Sequence, residues 1–234
     1  MRGLHGYGEV LWGLLPVVLL LLTWFKVAGA DTSRIKTLSL SGPRLSSECS
    51  IEQALLSRRS GRRYADAPLT LAEVSQLLWA AQGVTDRKGL RTTPSAGALY
   101  PLETYLLVGK AEGLPAGVYR YQPDQHGLVE IATGDRRAQL ATAALSQAFI
   151  SAAPVSIILT AVYARTTAKY GERGIRYVHM EAGHASQNIY LQATALNLST
   201  VAIGAFYDQE VQKVLELQAT EQPLYIMPIG KRSS

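Results

Sequence analysis

Apolar residues recur along this chain with two different periods, and each period predicts its own kind of element. A helical period predicts helices over residues 51–57, 70–81, 135–148, 174–197 and 208–215. The pattern is clearest in the second of these, where one face would carry Leu71, Val74, Leu77, Leu78 and Ala81. The longest helix, over 174–197, is rich in small residues, which permit close packing either inside a core or against a second copy of the chain.

Runs of β-branched and aromatic residues predict strands between these helices. Residues 104–108, 155–162, 200–205 and 224–228 fit single strands, and 118–121 with 128–131 fit a hairpin across 123–127. The run over 155–162 is apolar throughout, as in a strand that is buried on both faces. Because hairpins and helices are mixed along the chain, the α+β class is predicted.

The N-terminus has a separate pattern. Residues 10–25 carry no charge, Arg2 precedes them, and the small residues Ala28, Gly29 and Ala30 follow. This pattern is typical of a signal peptide cleaved before Asp31, with an uncleaved membrane anchor as the alternative. An exported or membrane-anchored protein is therefore expected, with residues 31–47 as a linker and 48–234 as one domain.

Composition narrows the class of protein only slightly. The chain has 234 residues, of which 47% are hydrophobic and 18% charged, and this suits one globular domain rather than a disordered chain. The formal net charge of +5 suits an anionic ligand without identifying one. The lone cysteine, Cys49, excludes an intrachain disulfide and a cysteine-based metal cluster.

The first candidate for chemistry is the basic run at 57–63, SRRSGRR. It places four arginines around Ser60 and Gly61, at the end of a predicted helix. Guanidinium groups match phosphate oxygens bidentately, and a serine hydroxyl adds a neutral donor. A phosphate monoester would suit this run, although on its own the run is better explained as a solvated basic turn or a nucleic-acid patch.

Two further segments carry candidate residues. The loop 91–101 (RTTPSAGALYP) is stiffened by two prolines, and its small residues would let the backbone approach a flat ligand. Lys169 and Tyr170 are adjacent titratable groups just before the longest helix, in what reads as an exposed loop. Glu181 and His184 follow on that helix, but they are too few for a metal site, and a structural histidine is expected.

The order of these segments is more specific than any one of them. Together they resemble the nitroreductase superfamily, and most closely its SagB-type branch, which includes azoline dehydrogenases. The matching segments are SRRSGRRY at 57–64, PSAGALYPLE at 94–103, KYGERGIRYVHMEAGHASQNIYLQA at 169–193, AIGAF at 202–206 and PIG at 228–230. The resemblance spans about residues 50–230.

The resemblance implies a fold, a cofactor and an assembly. The fold would be a mostly antiparallel sheet of four or five strands flanked by helices, in a domain-swapped homodimer with FMN at its interface. The residues implied to hold the FMN phosphate and ribityl chain are Arg58, Arg59, Ser60, Arg62 and Lys231, with Arg232 as an alternative to Lys231. Those implied near the ring or its tail are Pro94, Ser95, Ala96, Gly97, Asn188, Ile203, Gly204 and Ala205.

The resemblance also implies a reaction. A Lys-Tyr pair is associated with catalysis in the azoline-dehydrogenase branch, and Lys169-Tyr170 matches it, so one of the two is expected to remove a proton while hydride moves to flavin N5. The expected substrate is a small organic molecule or a peptide heterocycle, and no nucleic acid is expected. NAD(P)H would serve as electron donor in the cytoplasm, whereas an exported enzyme would pass electrons to oxygen or a quinone. The alternatives are a flavin-binding protein without turnover and a basic anion-binding module without flavin.

Overall fold

The computed structural model describes residues 37–233 of the chain. The predicted signal peptide or anchor over residues 1–30 lies outside the described residues. Within 37–233, no helix combines the length and the apolar character that crossing a membrane requires.

An antiparallel sheet of seven strands, which differ in length, forms the middle of the described region. Its strand order is β1-β4-β3-β2-β5-β7-β6, and every neighbouring pair is antiparallel. The strands are β1 Thr37–Ser39, β2 Leu102–Val108, β3 Gly117–Gln122, β4 Gly127–Thr133, β5 Val155–Ala161, β6 Leu198–Thr200 and β7 Gln222–Lys231. The predicted α+β class is confirmed, but the expected four or five strands become seven because β1 and β6 lengthen the sheet at its edges.

The α-helices of the described region flank this sheet. They are α1 Ile51–Ser57, α2 Leu71–Gln82, α3 Arg137–Ala143, α4 Ala148–Ala152, α5 Ala164–Tyr170, α6 Arg173–Ala195 and α7 Asp208–Leu215. The first two begin with capping boxes, in which Ser50 pairs with Gln53 and Thr70 pairs with Glu73. These reciprocal bonds satisfy N–H groups that have no partner within a helix, so α1 begins at the predicted residue and α2 begins one residue later than predicted.

The alternation of side chains along the strands gives the sheet a core on each face. On one face α2 and α6 pack around Leu106 of β2 and Ile157 of β5. On the other face α3, α4 and α7 pack around the neighbouring residues Leu107 and Ile158. Every residue of β5 is buried, as its unbroken apolar run predicts.

Two predicted elements are wrong because the chain turns inside them. The predicted helix over 135–148 divides into α3 and α4, since Leu145 and Ser146 adopt φ values of 59° and 58°. Residues in this left-handed region do not continue a right-handed helix. The predicted strand over 200–205 ends at Thr200, after which Ile203 alone pairs with the sheet, through Ile226.

The linker or arm predicted over 31–47 is described from residue 37 onward. Residues 37–39 form β1, which pairs with β4 at the edge of the sheet. Leu40 follows and is buried against the same core as α2. The polar composition of this segment is that of an edge strand, which faces solvent on one side.

Candidate functional site

The basic loop, residues 58–63, is held against one edge of the sheet. It follows α1, and the Gly61 amide donates a hydrogen bond to the carbonyl oxygen of Thr200 at 2.9 Å. Two residues after the loop, the Ala65 amide donates to the carbonyl oxygen of Lys231 at 3.0 Å. The loop therefore runs beside β6 and the end of β7, with backbone bonds fixing its position.

Close contact with the Ser199 side chain of β6 explains the glycine in this loop. An added Cβ at Gly61 would lie 1.9 Å from Ser199 Oγ and 3.3 Å from Ser199 Cβ. A side chain at this position would therefore displace the Ser199 hydroxyl or move the loop away from β6.

A cationic cavity opens where the loop meets the chain terminus. Its volume is about 380 Å³, and it is lined by Arg59, Ser60, Gly61, Arg62, Arg63, Ser199, Arg232 and Ser233. No acidic residue lines it, and within residues 37–233 none of its arginines takes part in a salt bridge. Guanidinium groups that have no carboxylate partner, grouped around a serine hydroxyl, are a donor set suited to phosphate oxygens.

Lys231 is not part of this cavity, although the resemblance implied that it would be. Its ammonium group forms an ion pair with the carboxylate of Glu73 on α2. Burial raises the pKa of Glu73, but hydrogen bonds from Lys231 and Thr70 outweigh burial and hold it below the usual value. Because side chains alternate along a strand, the next residue, Arg232, points to the cavity instead.

Tyr190 of α6 joins the basic loop to the segment after β6, and the sequence did not single it out. Its hydroxyl lies 3.0 Å from Ser60 Oγ and accepts a hydrogen bond from the Ala202 amide at 2.8 Å. The Arg58 guanidinium lies over its ring, 5.1 Å from the centroid. In the sequence, the signal for Tyr190 was only that an aromatic residue stands two positions after the EAGHASQN motif.

A second group of candidate residues lies in the 91–100 loop, which connects α2 to β2. The Thr93 hydroxyl donates to a carbonyl oxygen in the last turn of α2 at 2.7 Å, and the Asn188 amide of α6 donates to Thr93 Oγ1 at 3.1 Å. The Tyr100 amide donates to Ser95 Oγ at 2.9 Å. These bonds fix the loop at both ends, so Asn188 acts on the loop in this structure.

The structure brings the Lys-Tyr pair directly against this loop. Lys169 and Tyr170 lie in the last turn of α5, where the sequence had suggested an exposed loop. Gly97 has φ of 65°, and a Cβ placed on it would lie 2.8 Å from Tyr170 Oη and 3.1 Å from Lys169 Nζ. An amine and a phenol thus converge on the bare backbone of the predicted ring-binding segment.

A buried carboxyl lies beside the same loop. Glu181 of α6 is 3% exposed. Burial raises its pKa to about 7, although the Ser95 hydroxyl and the Arg91 guanidinium both lower it. His184, expected to be a structural histidine, is exposed.

The segment after β6 is placed differently from the other candidates. Ile203 is 5% exposed and pairs with Ile226, so its side chain belongs to the core. Gly204 and Ala205 are exposed, and the Ala205 carbonyl oxygen accepts a bond from Gln147 at 3.2 Å. Through Ala202 and Tyr190 this segment is joined to the basic loop, but it has no direct bond to the 91–100 loop within the described residues.

Comparison with known proteins places these features in a family. The model of the nitroreductase family matches residues 55–231, which includes both groups of candidate residues. The chain belongs to the nitroreductase family. Membership confirms the resemblance and, with the observed sheet and helices, a nitroreductase-like α+β fold.

Individual members of the family are similar over most of the domain. MJ1384 of Methanocaldococcus jannaschii, assigned to the nitroreductases, is 51% identical over 79% of this chain and 92% of its own length. The microcin B17-processing protein McbC of Escherichia coli is 29% identical over 73% of this chain and 66% of its own length. A crystal structure assigned to the nitroreductases, from Anabaena variabilis, superposes with a TM-score of 0.76 at 32% identity, covering 85% of this chain and 42% of that one.

Proposed function

We propose that this nitroreductase-family oxidoreductase is FMN-dependent and transfers hydride between flavin N5 and an organic substrate. The observation that carries the proposal is the contact of Gly97 with Lys169 Nζ and Tyr170 Oη. It leaves a bare, curved backbone beside two proton-carrying groups, which is the arrangement that a flat redox ring and its substrate require.

The two groups of residues suit the two ends of one FMN molecule. The cationic cavity offers Arg59, Ser60, Arg62 and Arg232 to a phosphate. Helix α6 contacts both groups from different faces, since Asn188 holds the 91–100 loop and Tyr190, two residues later, contacts the basic loop. The donor chemistry and the small residues of both loops therefore fit FMN, and the residues implied at Pro94–Gly97 would lie along its ring.

In the proposed mechanism, the protein orients the substrate and transfers a proton. FMN, when bound, supplies the hydride acceptor or donor. During oxidation, the substrate gives up one hydride and one proton, and the neutral amine of Lys169 or the phenolate of Tyr170 would accept the proton. Asn188 and Ser95 hold the loop in place, so that the pair keeps its position beside the reacting atoms.

Cofactor binding is tested by the visible spectrum of the purified full chain after incubation with FMN. We expect flavin bands that persist through gel filtration. A colourless protein that cannot be reconstituted would contradict the proposal and favour an anion-binding module. Reduction by NADH or NADPH without oxygen, followed by reoxidation with a nitroaromatic or a quinone, then separates an enzyme from a passive flavin carrier.

The binding site for the FMN phosphate is tested by replacing two neighbouring residues, one at a time, with methionine. Arg232→Met should weaken FMN binding at least about tenfold, because a charge-assisted bond to phosphate is lost. Lys231→Met should leave FMN affinity within about twofold, since its ammonium pairs with Glu73. Fluorescence titration of FMN measures both, and the opposite ranking would return Lys231 to the phosphate site.

The substrate we propose is a heterocycle in a peptide, with a small organic molecule as the second candidate. The support is the similarity to McbC, a microcin-processing protein, together with the placement of Lys169 and Tyr170 beside the 91–100 loop. FMN-loaded enzyme is assayed with a thiazoline-containing peptide and with a nitroaromatic. Full turnover of either substrate by Lys169→Ala would remove this residue from the mechanism.

The cellular location that we propose rests on residues 1–30, which lie outside the described region. The pattern of residues 1–30 supports export or membrane anchoring. An exported enzyme would pass electrons to oxygen or a quinone, because reduced nicotinamide is scarce outside the cytoplasm, whereas an anchored domain that faces the cytoplasm would keep NAD(P)H as donor. Cell fractionation, with mass spectrometry of the mature N-terminus, distinguishes cleavage before Asp31 from an intact anchor.

A further inference from the structure

Glu181 is a buried acidic group that the proposed mechanism leaves unused. One helical turn before it on α6, the Tyr177 ring packs edge-on against Tyr170, with 5.2 Å between ring centroids. Two turns after it, Asn188 donates to the 91–100 loop. Glu181 therefore lies on the face of α6 that packs along the 91–100 loop, between the Lys169-Tyr170 pair at one end and Asn188 at the other.

The surroundings of Glu181 make its negative charge costly. Its side chain is almost fully buried, and within the described residues Oε1 has no hydrogen-bond partner. Ser95 and Arg91, both in the 91–100 loop, are the groups that favour the carboxylate, but desolvation outweighs them. Arg91 is shared with other partners, since it donates to Gln82 at 3.1 Å and lies 4.4 Å from the centroid of the Tyr100 ring.

The other titratable groups around this position are few. Helix α5 contributes Lys169 and Tyr170, and α6 itself contributes Tyr177 and the exposed His184. The glutamate of α2, Glu73, is paired with Lys231 and lies in the first turn of that helix, at the opposite end from Gln82, to which Arg91 donates. Arg91 is thus the charged group whose field reaches the Glu181 carboxyl directly.

We propose that Glu181 is a positioning residue of the flavin site: its buried carboxyl lies behind the 91–100 loop, beside Ser95 and Arg91, and takes up a proton as the site fills. The inference rests on the proposed FMN binding. A flat ring against the half-buried Ser95 and Arg91 removes water from the loop in front of the carboxyl and disfavours its charged form further. Binding is then linked to proton uptake, so FMN affinity falls as pH rises above the neutral range.

The first experiment measures the dissociation constant of FMN against pH for the wild-type chain, Glu181→Gln and Glu130→Gln. Glu130 is an exposed glutamate on β4 and serves as the matched control. We expect affinity to fall by up to about tenfold per pH unit above about pH 7 in the wild type and in the control. Glu181→Gln should lack that component, while ionisation of the FMN phosphate affects all three proteins equally.

The second experiment titrates the carboxyl in the FMN-free protein by infrared difference spectroscopy. A carboxyl that titrates near pH 7 should disappear in Glu181→Gln and remain in Glu130→Gln. Ser95→Ala should move its midpoint to higher pH, because the serine hydroxyl favours the charged form. This variant keeps the test decisive even if Glu181→Gln does not fold.

The outcomes separate the two proposals. Binding of FMN with equal pH slopes in the wild type and Glu181→Gln would overturn the role of Glu181 and leave the flavin site intact. A wild-type protein without a carboxyl titrating near neutral pH would overturn it too. Absence of FMN binding in every protein would remove the flavin site, and the role of Glu181 in it.

Discussion

Gly97 and Gly89 share a backbone conformation but differ in their surroundings. Both have φ in the left-handed region, at 65° and 80°. A Cβ at Gly97 would meet the Lys169 and Tyr170 side chains, whereas nothing lies within 4 Å of a Cβ at Gly89. A comparison of the two positions therefore separates the effect of backbone strain from that of a steric clash with Lys169 and Tyr170.

Substitution of each glycine by alanine tests this difference. Gly89→Ala should lower the free energy of unfolding by about 1 kcal/mol and leave turnover unchanged, since only the backbone is strained. Gly97→Ala should, in addition to straining the backbone, lower turnover about tenfold or more, because its Cβ displaces Lys169 Nζ or Tyr170 Oη from the loop. Urea unfolding and steady-state assays of FMN-loaded protein measure the two effects. Equal activity of the two variants would show that the contact at Gly97 is not functional.

The buried carboxyl of Glu181 predicts a pH dependence of stability. Its pKa rises from 4.5 to about 7 on folding, so the folded state binds more protons than the unfolded state between these values. Stability should therefore fall as pH rises from about 4.5 to about 7, by about 3 kcal/mol in total, and then level off.

The measurement is urea unfolding at a series of pH values, with Glu181→Gln compared with the wild type. The amide cannot ionise, so its stability should lack this fall. Carboxyls with lowered pKa values, such as Asp135, act below this range and with the opposite sign in both proteins. Parallel curves through pH 7 would contradict the assignment.

At the scale of elements, the site depends on how α1, β6 and α6 meet. The basic loop has no regular structure of its own, and its position comes from one backbone bond to Thr200 and from contacts with Ser199 and Tyr190. Helix α6 carries both Tyr190 and Asn188, so one rigid element sets the spacing between the cationic cavity and the 91–100 loop. The candidate site is thereby built on regular elements although most of its residues lie in loops.

The contact between Gly61 and β6 can be relieved by a second substitution. Gly61→Ala should weaken FMN binding by about tenfold, because its Cβ would meet Ser199 Oγ and displace the arginines. Adding Ser199→Ala leaves 3.3 Å to the neighbouring Cβ and should restore most of the affinity. Gly42→Ala, where nothing lies within 4 Å, is the control. Fluorescence titration of FMN gives the values, and an absence of rescue would mean that the loop is displaced for another reason.

At the scale of the whole molecule, apolar surface is concentrated on one side of the helical layer. Helix α1 exposes Ile51, Leu55 and Leu56, the last at 75% exposure. Met180, on the adjacent α6, is also exposed, and a cavity of about 400 Å³ lies between α1, α2 and α6. Apolar surface of this kind marks an interaction site, and we propose a second copy of this chain as its partner, in line with the homodimer that the resemblance implied.

Leu56→Glu tests the proposed dimer. Placing a charge in an apolar interface should shift the protein to monomers, and the monomers should retain less FMN if the cofactor lies at the interface. Leu145→Glu is the control, because Leu145 is also exposed, at 49%, but follows α3 on the other face of the sheet. Light scattering coupled to gel filtration measures the masses. A wild-type monomer, or a dimer unaffected by Leu56→Glu, would contradict the proposed surface.

Local patterns predicted the regular elements well where the local and tertiary requirements agree. The capping serine and threonine, the amphipathic face of α2 and the unbroken apolar run of β5 are signals of this kind. The predicted strand over 200–205 failed because Val201 and Ile203 are buried without belonging to a regular strand. Burial explains an apolar residue as well as strand pairing does, and a single sequence does not separate the two.

The class of fold, the arginine-rich loop, the small-residue loop and their order could be identified from the amino-acid sequence, since they depend on residue type and short spacing. Which of these residues meet depends on the tertiary structure. It turned Arg232 rather than Lys231 toward the cavity, brought Lys169 and Tyr170 onto Gly97, and buried Glu181 behind the 91–100 loop. Such contacts join residues distant in the chain, and their burial and pKa values arise from surroundings that no local pattern contains.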